Sequence, residues 1–162
     1  MPEHILKAYE AIGDFTPIKG DCGKLCDKNC CHGSENDGME LLPGEADICR
    51  ECGDVNVCSD GCEILVCKGN CRREKRPWSC RIFPLFPFTY NGTDGIQIKV
   101  NIDPRCAFVC PLTADEIDID FARSVAESAF ILANNPECLD FLTKTTEMLD
   151  EMMALRKKLF RK

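Results

Sequence analysis

Fourteen cysteines in 162 residues are the feature that most constrains this chain, and thirteen of them fall between Cys22 and Cys110. A chain of this length can bury roughly 70% of its unfolded surface, so it does not need cross-links in place of a core. The cysteines therefore call for a chemical explanation, either disulfides or metal ligation. Disulfides imply export. The N-terminus, MPEHILKAYEAIGDFTPIKGD, has no basic region followed by an apolar stretch, and no apolar run reaches the roughly 18 residues of a membrane span. The expected compartment is the cytoplasm, where thiols stay reduced and closely spaced cysteines read as metal binding or redox chemistry. A stably disulfide-bonded module is the competing reading.

The spacing favours metal. Cys22/Cys26, Cys26/Cys30, Cys49/Cys52, Cys58/Cys62, Cys67/Cys71 and Cys106/Cys110 form six clips. Two or three intervening residues let a tight turn aim both sulfurs at one ion, about 2.3 Å away. Gly23, Gly53, Gly61 and Gly69 sit within or beside these clips, where a missing Cβ lets backbone N–H groups approach sulfur. Cys30 and Cys31 are adjacent, so their side chains diverge. Either a polynuclear cluster or two nearby sites uses both, or one is a ligand and the other a buried thiol. His32 follows as an imidazole ligand, a donor to sulfur or a surface residue; His4 has no such context. Cys138 lies apart, on an apolar helical face, and reads as a small core residue.

Net charge is −7 and the pI is near 4.9. That balance argues against a nucleic-acid partner, which needs clustered cations. Two basic stretches stand out, 72–76 within the cysteine-rich part and 156–158 near the end, where cations suit a helix C-terminus.

Ile5, Leu6, Ala8, Tyr9 and Ile12 predict a short helix. Pro43, Glu45 and Asp47 suit the first turn of another. Residues 82–102 predict a β-hairpin: Phe86, Phe88 and Tyr90 alternate before the turn residues 91–95, and Ile96, Ile98, Val100 and Ile102 alternate after them. Pro84 and Pro87 confine the first strand to an edge or make it irregular. Thr113 and Glu116 form a capping box that predicts a helix start. Ile117, Phe121, Val125, Ala129 and Leu132 continue as its apolar stripe. Asn134, Asn135 and Pro136 break it, and a second helix places Leu139, Leu142, Leu149, Met152, Met153 and Leu159 on one face. The expected fold class is α+β: a small, irregular, Cys-rich metal-binding domain with a β-hairpin and a C-terminal helical hairpin. A single domain spans 1–162, with the metal-binding region at 22–110 and the C-terminal helices at 113–161.

The run Cys71-x-x-Glu74-x-Arg76-Pro77-x-x-Cys80-Arg81-x-Phe83-Pro84 resembles the signature of the CxxCxxCC family of zinc- or iron-chelating domains, which is similar to part of flagellin lysine-N-methylase. Cys62-Glu63-Ile64-Leu65 resembles the family's Cys-Pro-Phe-Leu element, and 42–46 its Leu-x-x-x-Glu-Ala segment. Cys22, Cys26, Cys30 and Cys31 stand where the naming motif belongs, with spacing C-x3-C-x3-C-C in place of C-x2-C-x2-C-C. The resemblance implies eight metal ligands: Cys22, Cys26, Cys30, Cys31, Cys62, Cys71, Cys80 and Cys106. Cys49, Cys52, Cys58, Cys67 and Cys110 exceed that set and either extend the site, add another or serve redox chemistry. Arg76 and Arg81 flank the implied thiolates and can offset their charge or donate to sulfur; Glu45 can orient one of them, and Trp78, Phe83, Phe86 and Phe88 can cover the site.

Thiolate ligands suit both zinc and an iron–sulfur cluster. The scarcity of histidine argues against a Cys2His2 zinc site, and adjacent Cys30 and Cys31 lean toward a cluster. The expected function is a metal-binding protein holding zinc or an iron–sulfur cluster, with the metal or cluster, and a protein, as partners. The alternative is an S-adenosylmethionine-dependent protein lysine N-methylase or an accessory to one. No G-x-G-x-x-G loop follows a strand, no nucleophile–base pair is set by sequence, and no membrane anchor is visible.

Overall fold

Ile5, Ala8, Tyr9 and Ile12 recur at helical spacing, and in the computed structural model helix α1 (Glu3–Ile12) buries all four. The structure describes residues 2–159 except 21, 26, 29, 31–37, 60, 68–71 and 107–111. Leu6 falls off the buried stripe and is exposed. Gly13 ends α1 at φ +49°, its N–H donating to Tyr9 O at 3.0 Å.

Two sheets follow. The smaller strands are β1 (Met39–Glu40), β2 (Gly53–Val57) and β3 (Glu63–Cys67), and all pair antiparallel in the order β1-β3-β2. The short helix α2 (Ala46–Cys49) precedes β2. This sheet was not expected. Cys58 and Cys62 flank its hairpin turn: Cys58 N–H donates to Cys62 O at 2.8 Å, and Gly61 takes φ +88°. Gly53 is required by contact, because a Cβ there would lie 2.1 Å from Val66 O.

The predicted hairpin is present as β4 (Leu85–Gly92) and β5 (Gly95–Ile102), joined through Thr93 and Asp94 with Gly95 at φ +118°. Their register places Phe86, Phe88 and Tyr90 on one face with Asn101, Lys99 and Gln97. Leu85, Pro87 and Thr89 share the other face with Ile102, Val100 and Ile98. Leu85 to Thr89 are buried on both faces, whereas β5 alternates exposed and half-buried.

The capping box forms, with Glu116 Oε2 accepting from Thr113 N–H at 2.8 Å, but it closes only a 3-10 turn at Ala114–Glu116. The long helix α4 (Ile119–Ala133) starts later, with Asp118 Oδ1 accepting from Asp120 and Phe121 N–H. Asn135 Oδ1 then caps α5 (Pro136–Leu159) through the N–H groups of Glu137 and Cys138. Helix α4 packs chiefly on α1, and α5 chiefly on β4. Leu159, expected on the apolar face of α5, is exposed, because the helix runs past the core.

The main core joins α1, α4, α5 and the β4–β5 hairpin around Trp78, Phe121, Leu132 and Leu142. Cys138 is fully buried within it. A smaller cluster of Leu41, Ala46, Cys49, Cys52 and Leu65 underlies the three-stranded sheet.

Candidate metal centre

The family-like motif is built around a five-residue helix, α3 (Trp78–Ile82), whose flanking Pro77 and Phe83 are extended. A helix this short cannot hold itself together, so its stability must come from contacts. Trp78 supplies them: it is fully buried, and its Nε1–H donates to Ser128 Oγ of α4 at 3.1 Å. Ser79 Oγ donates to Glu40 O at 3.2 Å, tying the same turn to β1.

Beneath α3 lies Glu45, a carboxylate with no exposed surface. Its Oε1 accepts from Tyr9 O–H and from Trp78 N–H at 2.5 Å, and its Oε2 accepts from Leu42 N–H at 2.9 Å. Burial pushes its pKa up, while the three donors and Arg81 pull against that shift. Burial, followed by Glu45, raises the Tyr9 phenol well above its usual range.

Arg81 lies 3.9 Å over the Tyr9 ring. Its Nε–H donates to Arg76 O at 3.0 Å and its Nη2 to Glu74 O at 2.9 Å. Glu45 thus reaches Arg81 through Tyr9, and Arg81 in turn fixes the backbone between Glu74 and Arg76. Arg73 Nη2 donates to the carbonyls of Gly13 and Phe15, whereas its buried Nε has no hydrogen-bond partner among the described residues. Burial, then the charges of Arg81 and Arg76, lowers the Arg73 pKa against the pull of Asp14.

Glu40 connects three segments that carry expected ligands. It pairs with Ile64, two residues past Cys62. Its carbonyl accepts from Ser79, next to Cys80. Its carboxylate also favours the charged form of Arg105, next to Cys106. Burial opposes the Arg105 charge, but the hydrogen bonds and charge of Asp103, then Glu40, hold its pKa above the usual range. Asp103 is buried, accepts from Arg105 Nη2 at 2.6 Å, and its carbonyl accepts from Cys106 N–H at 2.9 Å. Neither Glu40 nor Asp103 stands out by periodicity or motif in the sequence. The Asp103-Pro104-Arg105-Cys106 turn was the one available signal.

Cys62 and Cys80 are half-buried and Cys106 is buried. Cys22 opens a 3-10 turn at Cys22–Leu25, and Cys30 is exposed. The expected ligands Cys26, Cys31 and Cys71 lie outside the described residues, as do Cys110 and His32. Among the described residues no group of three or more His, Cys, Asp or Glu side chains is gathered closely enough to hold a metal ion.

Of the additional cysteines, Cys52 and Cys67 lie at the other end of the sheet, whereas Cys58 shares the hairpin turn with Cys62. Gly53 pairs with Cys67 and Val57 with Glu63, so Cys52 and Cys67 are separated from Cys62 by about 13 Å of ladder. Cys52 Sγ donates to Lys75 O at 3.1 Å. Burial first, then Glu45 and Cys52, pushes the Cys49 thiol far above its usual range. Cys49 is fully buried in the apolar cluster with Leu41, Ala46, Cys52 and Leu65.

No helix among the described residues is long and apolar enough to cross a membrane. Comparison of the chain with protein-family profiles, with curated proteins and with solved structures finds no match.

Proposed function

We propose that this chain is a cytoplasmic metal-binding protein that coordinates zinc or an iron–sulfur cluster through cysteine thiolates. The observation that carries the reading is that Glu40 joins the segments bearing Cys62 and Cys80, pairing with Ile64 and accepting from Ser79. The thiols of Cys62, Cys80 and Cys106 have suitable donor chemistry, although their three side chains are not gathered closely enough to hold an ion by themselves. The described residues alone do not complete a coordination shell, so the reading draws its remaining ligands from Cys22, Cys26, Cys30, Cys31 and Cys71, the other positions of the family-like motif.

Zinc bound there would supply a closed structural cross-link; a cluster would supply one-electron chemistry. The chain's own part is to hold the loops. Trp78 and Ser79 anchor α3, Arg81 fixes the carbonyls of 74–76, and Asp103 orients the turn that carries Cys106. Arg76 and Arg81 supply positive charge beside that corner, which offsets thiolate charge.

The test is anaerobic purification followed by metal analysis and an absorption spectrum. Visible sulfur-to-iron charge transfer identifies a cluster, and colourless protein with stoichiometric zinc identifies a structural site. Cys80→Ser and Cys106→Ser should each lower the metal content. Protein from iron- and zinc-replete cells that carries neither metal would end the reading.

A further inference from the structure

Among the described residues, no strand pairs with the outer edge of β5. Asp103 N–H donates to Pro84 O at 2.8 Å, which sets the phase of the β4–β5 ladder. Antiparallel pairs alternate between bonded and unbonded, so Phe86/Asn101, Phe88/Lys99 and Tyr90/Gln97 exchange hydrogen bonds. The intervening pairs, Leu85/Ile102, Pro87/Val100, Thr89/Ile98 and Asn91/Ile96, turn their backbone groups outward.

The β4 edge is blocked at its middle: Pro87 has no N–H, and Thr89 N–H donates to Thr146 Oγ1 of α5 at 2.9 Å. On β5, Ile102 N–H is taken by its neighbour Asn101 Oδ1 at 2.8 Å. The outward amides of Ile96, Ile98 and Val100 donate to no acceptor among the described residues. Three such groups in a row form a template for another strand.

Beside that edge, between β5 and the start of α4, lies an apolar groove of about 110 Å³ lined by Leu85, Val100, Ile102, Ile117, Ile119 and Ala122. Ile119 is 62% exposed there. The surround is acidic. Asp115, Glu116 and Asp118 flank Ile117 and Ile119, Asp120 is paired with Arg123 at 3.0 Å, and Asp94 stands at the hairpin turn, whereas Lys99 lies on the opposite face of the sheet over the Tyr90 ring.

We propose that the outer edge of β5 receives an extended, basic segment of a partner protein as an added strand. Its backbone bonds to Ile96, Ile98 and Val100, one aliphatic side chain enters the groove, and its Lys or Arg residues face the acidic rim. The rim selects against a second copy of this chain, which would present the same acids and a net charge of −7.

The test titrates the isotopically labelled full chain with an acetylated, amidated hexapeptide of alternating lysine and valine, followed by amide chemical shifts. Shifts should concentrate at 96–102 and 117–122, and affinity should fall as salt rises. The same peptide with glutamate in place of lysine should not bind. Ile98→Pro removes an outward donor without breaking a bond to β4, and should weaken binding about tenfold. Ile119→Asp changes an exposed side chain and should weaken it comparably, which keeps the test decisive if the proline variant fails to fold. Shifts elsewhere or none, equal binding of the acidic peptide, or binding unchanged in both variants would overturn the proposal. A concentration-dependent dimer of the protein alone, dissociated by Ile119→Asp, would assign the edge to a second copy and equally overturn it.

Discussion

At the scale of single residues, Glu45 governs more of the structure than any cysteine among the described residues. It binds donors from α1, from the turn before α2 and from α3 while itself excluded from water. Glu45→Ala would leave all three donors buried and unpaired, and should cost about 3 kcal/mol or more in urea-induced unfolding. The pH dependence follows from burial, the largest influence on its pKa, which raises it. The folded protein then holds the Glu45 proton more tightly than the unfolded chain does. Its contribution is fully present below the ordinary carboxylate range and is lost as pH rises through the folded-state pKa. Wild type should therefore lose stability relative to Glu45→Gln as pH rises from about 4 toward 7. A gain over that range would mean that the three donors and Arg81 outweigh burial. The sequence places Glu45 in the first turn of a helix and, through the family resemblance, beside Arg76 or Arg81. Its actual partners, Tyr9 and Trp78, are 36 and 33 residues away, beyond the reach of local pattern.

At the scale of elements, legibility tracked periodicity. Helix α1, the β4–β5 hairpin and the two long helices were all visible, because each carries its own apolar repeat. The β1-β3-β2 sheet was not. Its strands are short and bounded by cysteines whose spacing matches metal clips, so a hairpin turn and a ligand pair look alike in sequence. Gly53 separates the two interpretations: Gly53→Ala should part β2 from β3 and destabilise the protein by about 2 kcal/mol, since backbone rather than a flexible side chain blocks the added methyl. A neutral result in thermal melts would disprove this close approach. The start of α4 gives a second contrast. Asp118→Ala should cost about 1 kcal/mol, whereas Glu116→Gln, which touches only the preceding turn, should be nearly silent. Equal losses would restore the capping box as the true helix start.

At the scale of the molecule, the larger core contains none of the proposed metal ligands. It closes around α1, α4, α5 and the β4–β5 hairpin with ordinary apolar side chains. A strong chelator under reducing conditions should therefore leave most of the helical circular dichroism in place, while the thiols of Cys62, Cys80 and Cys106 become more reactive to alkylation. Cooperative loss of the whole helical signal would show that the metal holds the entire fold. How the site is assembled was largely illegible in sequence. Cysteines can be counted and their clips ranked, but which segments meet depends on β-register and on a buried acid–arginine turn, neither of which spacing encodes. The single tryptophan offers a practical route to this question. Trp78 stands two positions before Cys80, sealed from solvent and tethered through its ring nitrogen to α4. Its emission is consequently a built-in optical gauge of the proposed function: if Cys80 ligates an ion, binding should dim or shift that lone fluorophore, and occupancy could be titrated in unlabelled protein.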